Sequence, residues 1–298
     1  MAGPFRRPAA ESSQVRHSGP AAAVRGAARI FRRLPLRVRR PRWLQGMALG
    51  ATQGTERSAV SASISIVIPS LNEAAIVESR LAALQRLRRQ GHRLYLVDGG
   101  STDGTADIAR GLVDSVESSP PGRAIQMNRG ASAAQDAVLW FLHLDSDVPP
   151  GATETVLEAA LQGPGWGRFD IRLEGRAPMF RVIERMMNLR SRLTGVATGD
   201  QGIFVRRDLF EAVGGFPEIP LMEDIALSKR LRRKAHPACV PLKLATSSRR
   251  WERDGILRTV FFMWFLRAAY QLGVDPAILA RVYYPSHKPR TESSTPQR

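Results

Sequence analysis

Two carboxylates, Asp145 and Asp147, stand at the end of an apolar run, Trp140-Phe141-Leu142-His143-Leu144. As Asp-x-Asp in a loop they can share one hard divalent cation, directly or through water. The same spacing also serves as an acidic turn, because Asp and Ser are turn formers. A second set is the glycine-rich, anionic stretch Asp98-Gly99-Gly100-Ser101-Thr102-Asp103-Gly104. Asp98 can accept hydrogen bonds from a base or a ribose, or the stretch can be a tight turn with a helix cap. It is neither G-x-G-x-x-G nor a P-loop, so dinucleotide and P-loop chemistries lose their main support. Glu223-Asp224 precede an apolar-periodic segment, where acids also serve to complement a helix dipole. Arg250-Trp251 suit a phosphate or a sugar, since guanidinium binds anions and indole packs on sugar faces; a surface salt-bridge network is the alternative. Asp200-Gln201 lie in Gly199–Gly202, ahead of a short strand. Arg123 opens a helix whose polar residues can face either a ligand or solvent.

These residues need elements to hold them. Ile64–Pro69 is β-branched and closed by proline, which predicts a first strand. Ser70-Leu71-Asn72-Glu73 then leads into a helix to about Arg89, stopped by Gly91. Leu94–Val97 reads as a second strand, followed by a helix to about Val113 that Thr102 or Asp103 can cap. The run at 138–143 predicts a buried strand that must stop at the acidic pair, because Pro149 and Pro150 follow. A helix is expected from Gly151 to about Leu161, a strand over Trp166–Leu173, and a basic, Met-rich helix over 178–194. Ile203–Val205 is a short strand, and Gly214-Gly215-Phe216-Pro217 breaks the chain. A helix follows Pro220–Asp224, a strand or two fill 238–248, and Leu257–Leu272 is the most apolar helix. Strand and helix alternating in this rhythm mean βαβ units and a mostly parallel sheet. Carboxylates at strand C-termini then sit where open α/β sheets bind ligands.

The chain has 298 residues and a net charge of +17. Residues 1–46 hold eleven Arg against the single acid Glu11, or +10 of that charge, and the remainder carries +7. The basic character therefore belongs mainly to the N-terminal stretch and does not by itself mark a nucleic-acid partner. Residues 1–61 are expected to be a disordered Arg-rich tail, with the flavour of a transit peptide. Met47 is an alternative start. Residues 285–298 are expected to be a second disordered tail. The single Cys239 excludes an internal disulfide, and no Cys/His cluster suggests zinc. Thr259 to Leu266 is an uncharged run of only eight residues between Arg258 and Arg267. A spanning helix needs about twenty, so no transmembrane segment is expected. Phe261, Phe262, Trp264 and Phe265 can still touch a membrane surface.

In order, Ile-Pro-x-x-Asn-Glu at 68–73, Val-Asp-Gly-Gly-Ser-Thr-Asp-Gly-Thr at 97–105, Asp145-Ser146-Asp147, Gly-Gly-Phe at 214–216 and Glu-Asp at 223–224 resemble glycosyltransferase family two. The resemblance covers roughly residues 62–284. Gly199–Gly202, Pro220–Asp224 and Arg249–Arg253 further resemble its radical-SAM/selenodomain-associated or arsenosugar-type subgroup. It implies a GT-A fold: one α/β domain with a Rossmann-like mixed, mostly parallel sheet flanked by helices. It also implies inverting, metal-dependent sugar transfer from a nucleotide-sugar donor to a small-molecule or lipid-like acceptor hydroxyl. Pro69, Glu73, Asp98, Asp103, Arg123 and Asp145 would then line the nucleotide. Asp145 and Asp147 would meet Mg²⁺ or Mn²⁺, and Asp224 would be the catalytic base. Asp200, Gln201, Glu223, Arg250 and Trp251 would lie by the diphosphate or the acceptor. Ser247 stands where the family's Gln-x-x-Arg-Trp motif has Gln, which argues against a processive polysaccharide synthase.

Two other classes stay open at this stage. One is a nucleotidyltransferase on a similar sheet, although the N-terminal Gly-rich loop with a following Lys or Arg is missing. The other is a non-enzymatic nucleic-acid or membrane-binding protein driven by the Arg-rich tail. For the enzyme no nucleic-acid partner is expected. Its location is expected to be cytoplasmic, with peripheral contact at the membrane face.

Overall fold

A computed structural model describes residues 62–284. The expectations for the two tails, for Met47 as a start and for the Arg249 and Arg250 side chains fall outside the described residues. In chain order the elements begin with β1 (Ile64–Ser70), α1 (Ala74–Arg89), β2 (Arg93–Asp98), α2 (Thr105–Ala109) and β3 (Ser115–Ser118). Next come α3 (Arg123–Ala133), β4 (Val138–Phe141), α4 (Ala152–Leu161), β5 (Trp166–Leu173) and α5 (Pro178–Thr194). After a 3₁₀ turn at Gly199–Gln201 follow β6 (Phe204–Arg206), α6 (Arg207–Ala212) and α7 (Glu223–Arg232). The described chain closes with β7 (Ala238–Thr246), α8 (Arg249–Asp254), α9 (Ile256–Gln271) and α10 (Pro276–Tyr283).

Seven strands form one sheet in the order β3-β2-β1-β4-β6-β5-β7. The pairs β1–β2, β1–β4, β2–β3 and β5–β7 are parallel, while β6 is antiparallel to both β4 and β5. Only β6 therefore runs against the rest. Its reversal places its N-terminal end, with the Gly199–Gln201 turn, at the edge where the other strands end. The order switches direction between β1 and β4, which opens a crevice outside the strand C-termini.

At β1, β2 and β4 both faces are buried, so these strands read as near-continuous apolar runs rather than alternations. Val67, Val97, Leu139 and Phe141 pack with Met127 and Ala131 of α3 and Leu227 and Leu231 of α7. Gly130 lets α3 approach closely: a Cβ there would collide with Val67 and Val97. On β5, Ile171 and Leu173 pack with Phe180 and Ile183 of α5, and Trp251, Ile256 and Val260 close over them.

Some local expectations need correction. α2 stops at Ala109 rather than near Val113, because Arg110 takes an extended conformation and Gly111 turns the chain at φ +86°. That turn feeds β3, a short half-buried edge strand with no apolar alternation to announce it. β4 ends at Phe141, short of the acidic pair. Leu142 and Leu144 are buried but lie in a loop. The loop returns to the sheet at Asp147, which exchanges backbone hydrogen bonds with Ala245 of β7 at 2.7 and 3.2 Å. α6, α8 and α10 were not foreseen.

Candidate active site

The C-terminal ends of β1 and β2 lie in register, Ser70 beside Asp98. Buried Gln126 of α3 donates its side-chain amide to Ser70 O and Val97 O, at 2.8 and 2.9 Å. One side chain thus ties two strand ends to a helix. Asp98 is buried, and its Oδ2 accepts from Gly100 N (3.1 Å) and Ser101 N (2.9 Å). Its Oδ1 is buried without a partner. An unsatisfied buried acceptor costs about 1–3 kcal/mol, and an N–H from a bound ligand would remove that cost. Asn72, at φ +53°, clasps the loop: it donates from N to Ser101 Oγ (2.8 Å) and accepts from Thr102 N at Oδ1 (2.9 Å). Pro69 precedes this turn as the penultimate residue of β1.

Asp103 is exposed and committed to backbone: Oδ2 accepts from Ala74 N (2.9 Å), Oδ1 from Thr105 N (3.0 Å) and Thr105 Oγ1 (2.5 Å). It therefore joins the starts of α1 and α2, and the Thr105 bond, with those to backbone N–H groups, holds its carboxyl below the usual range. Glu73 behaves oppositely. Burial, then the neighbouring Asp145 charge, pushes its carboxyl up to about 7, against the opposing influence of Ser70 and Arg123.

In the loop after β4, burial raises the Asp145 carboxyl and the Asp200 charge adds to this, while Arg80 and Arg123 oppose it. Asp147 is half-exposed and pairs with Arg80 at 2.7 Å. Among the described residues no group of three or more His, Cys, Asp or Glu could hold a metal. A cation completed by substrate phosphates needs only one or two carboxylates. Asp145, incompletely neutralised, and Asp200, whose Oδ1 is buried without a partner, fit such a hard cation. Asp147 is held by Arg80, whose side chain is only 18% exposed, so that pair must open before Asp147 can reach a cation.

On the β6 side the Gly199–Gln201 turn meets the start of α7. Gly199 N donates to Asp224 Oδ2 at 2.8 Å, and Ile225 N donates to Oδ1 at 2.6 Å. Burial nevertheless dominates and raises the Asp224 carboxyl, with Asp200 adding and Arg267 opposing. Arg123 is solvent-exposed at the crevice. Burial of the surrounding site works against its charge, but Tyr284, Glu223, Tyr283 and Asp224 more than offset this, so it stays cationic. His143, beside Gly199, Glu223 and Asp224 in a small cavity, is held neutral: burial, then the Arg123 charge, lowers it to about 3.

The structure thus gathers Glu73, Arg123, Asp145, Asp200, Glu223 and Asp224 into one electrostatic neighbourhood. Gln201 is not at its surface. It is fully buried, and its side chain accepts from Thr198 N at 3.1 Å and reaches Phe169 O at 3.5 Å, so it braces the turn. Trp251 is half-buried against the β5–α5 cluster. Arg80, His143, Arg190 and Arg267 complete the surroundings and were missed. Arg190 carried a signal: it continues the spacing of Ile183 and Met187 along the apolar stripe of α5.

Glu223 gives a stability test. Burial, then the Asp224 charge, pushes its carboxyl from the ordinary 4.5 up to about 7. Between those values the unfolded chain has lost a proton that the folded chain keeps. Stability therefore falls as pH rises through this window and levels off above it. At 1.36 kcal/mol per pH unit, the share is on the order of 2–3 kcal/mol. Denaturant unfolding at pH 5 and pH 8 should show this drop, and Glu223→Gln should shrink it by about that amount. An undiminished drop would refute the buried, ionisable role.

A family model described as glycosyl transferase family 2 matches residues 65–214, half of the chain. The chain belongs to glycosyl transferase family 2. A PGL/p-HBAD biosynthesis glycosyltransferase of Mycobacterium bovis is 36% identical over 91 residues, covering 28% of this chain and 36% of its own. The succinoglycan biosynthesis protein ExoA of Rhizobium meliloti is 28% identical over 202 residues, covering 59% and 60%. An undecaprenyl-phosphate 4-deoxy-4-formamido-L-arabinose transferase of Yersinia enterocolitica is 29% identical over 170 residues, covering 50% of each chain. The family 2 chain spans about a third of the first relative's length and half to three-fifths of the other two. Its fold is the expected GT-A arrangement. The solved mannosyltransferase PcManGT from Pyrobaculum calidifontis, in complex with GDP-Man and Mn²⁺, superposes with a TM-score of 0.50. That likeness has 20% identity and covers 70% of this chain and 61% of that one.

Proposed function

We propose that the chain transfers a sugar from a nucleotide-sugar donor to an acceptor hydroxyl, inverting the anomeric centre, one sugar per encounter. One observation carries this: Asp200 lies within electrostatic reach of both Asp145 and Asp224, so a donor side and a base side adjoin in one crevice. Within the family, the Gly199–Gly202, Pro220–Asp224 and Arg249–Arg253 stretches support the radical-SAM/selenodomain-associated or arsenosugar-type subgroup.

Asp98 presents its free Oδ1 to the base of the donor, with Pro69, Asn72 and Glu73 bordering the same loop. Arg123 supplies fixed positive charge beside the departing diphosphate. Asp145, Asp147 and Asp200 would hold Mg²⁺ or Mn²⁺, which when bound supplies Lewis-acid stabilisation of phosphate charge. Asp224 takes the proton from the acceptor oxygen as it attacks the anomeric carbon. Its raised pKa makes it a better proton acceptor than an ordinary Asp, and the two backbone N–H groups fix its orientation. The nucleoside diphosphate leaves on the opposite face of the sugar, which inverts the centre.

A thermal-shift panel of nucleoside diphosphates with and without Mn²⁺ tests the assignment. At about a hundred times the dissociation constant, binding stabilises by roughly 2.7 kcal/mol. A metal-dependent shift with one base is expected, and no shift with any nucleotide would overturn the assignment. With a sugar nucleotide, release of pyrophosphate instead of the nucleoside diphosphate would favour a nucleotidyltransferase.

Peripheral membrane contact belongs to the same proposal. Among the described residues no helix is long and apolar enough to cross a membrane. Phe261, Trp264 and Phe265 of α9 are 64%, 50% and 62% exposed, a cost in water that an interfacial location would remove. Co-flotation with phospholipid vesicles that weakens in Phe261→Ser is the expected result; no flotation of the parent chain would count against it.

A further inference from the structure

Asp200 borders a second space, a cavity of about 320 Å³ between α5, α8 and α9. Its wall is apolar: Met186 and Met187 from α5, Trp251 from α8, Met263 and Trp264 from α9. Met186 and Trp264 are themselves exposed, so the cavity opens to the surface. Among the described residues, the charged side chains that line it are Asp200, Arg190 and Arg267.

The two arginines are not spent on the fold. Nε and Nη2 of Arg190 and Nε of Arg267 are buried and donate to nothing. Burial, then the like charge of Arg267, lowers Arg190 to about 10, against Asp200 and Asp224. Two guanidinium groups held within electrostatic reach of each other, with idle donors, are costly unless an anion joins them. A guanidinium fork matches a carboxylate or a phosphate. Met and Trp side chains suit an apolar chain of variable shape. Asp224 feels both Arg190 and Arg267, so the cavity adjoins the proposed base. Glu73, Asp98, Asp145 and Asp147 do not line it, and Asp200 stands at the boundary between this cavity and the donor side.

We propose that this cavity is the acceptor subsite and that the acceptor is an anionic amphiphile. A carboxylate or phosphate group sits on Arg190 and Arg267, and an apolar portion lies along Met187, Met263 and the two tryptophans. The assignment of an acceptor rests on the transferase function proposed above; the anion site itself does not.

Trp251 and Trp264 make the test optical. The full chain is titrated with octyl phosphate, octanoate and octanol while tryptophan fluorescence is followed, with no nucleotide present. Both anions are expected to bind about tenfold to a hundredfold more tightly than octanol. The tighter of the two anions identifies the head group. Arg190→Met and Arg267→Met should each erase most of that preference and leave octanol binding unchanged. Because the replaced groups have unpaired donors, folding of these variants should survive. Arg190→Lys, which keeps the charge and loses the fork, is the second variant and should weaken both anions. Octanol binding as tightly as the anions, or anion binding untouched in the Met variants, overturns the proposal. Failure here leaves the nucleotide panel untouched. A chain that binds octyl phosphate but no nucleoside diphosphate would sink the transferase and leave the anion site standing.

Discussion

Asp224→Asn is expected to slow sugar transfer by about 10²–10⁴-fold, the usual worth of a positioned general base, while nucleotide binding persists. The amide matches the carboxyl in size but cannot accept the proton. Asp224 holds two backbone donors, Gly199 N on Oδ2 and Ile225 N on Oδ1. An Asn oxygen can satisfy one, and its NH₂ then faces the other N–H. Some local loosening is therefore expected, although loss of a buried charge offsets it, since burial already raises this carboxyl. Single-turnover transfer and the nucleotide thermal shift separate the outcomes. Lost transfer with an intact shift supports the base; full activity in the variant removes it. A variant that loses the nucleotide shift as well would mean that Asp224 holds the turn at Gly199 and, through it, Asp200.

The distinction between burial and strand pairing explains what the amino-acid pattern could and could not convey. β5 and α5 were legible because their side chains alternate or recur at helical spacing over many residues, and a proline starts α5. The β4 boundary was not, because Leu142 still donates its N–H to Val67 O of β1 and Leu144 is as buried as a strand residue, yet the strand ends at Phe141. Apolar character reports removal from water, not the ladder that removes it. β3 failed for the opposite reason: Ser115–Ser118 pairs with β2 while exposing polar side chains at the sheet edge.

The site shows the same division. The acids were legible because their position at strand ends follows from the βαβ rhythm. Gln201 looked available for a ligand and is instead consumed by Thr198 and the carbonyl of Phe169. Arg267 was visible as the charge that ends the apolar run of α9, a pattern that excludes a membrane span. The same interruption has a second meaning only once α5 and α9 are seen to share a cavity with Arg190 and Asp200.

Asp145→Ala should abolish the metal-dependent part of nucleotide binding and leave a weaker, metal-independent part. The Asp145 carboxyl is raised by burial and by Asp200, so its charge is a liability in the empty protein. Removing it should leave the unliganded chain as stable as before or slightly more so, and relieve part of the upward push on Glu73. This separates lost binding from lost folding, which an ordinary alanine scan cannot do. Asp98, across the β1–β2 edge, keeps its free Oδ1 for the base, so nucleotide alone should still register. At a nucleoside diphosphate concentration about a hundred times the parent's dissociation constant with Mn²⁺, the parent gains roughly 2.7 kcal/mol; the variant should lose the portion that Mn²⁺ adds. An Mn²⁺ increment equal to the parent's would move the cation away from Asp145, onto Asp147 and Asp200. Arg80 decides between those two, because a cation on Asp147 must displace its 2.7 Å partner. Arg80→Met would then tighten Mn²⁺ binding if Asp147 is a ligand and leave it unchanged if Asp200 carries the load alone.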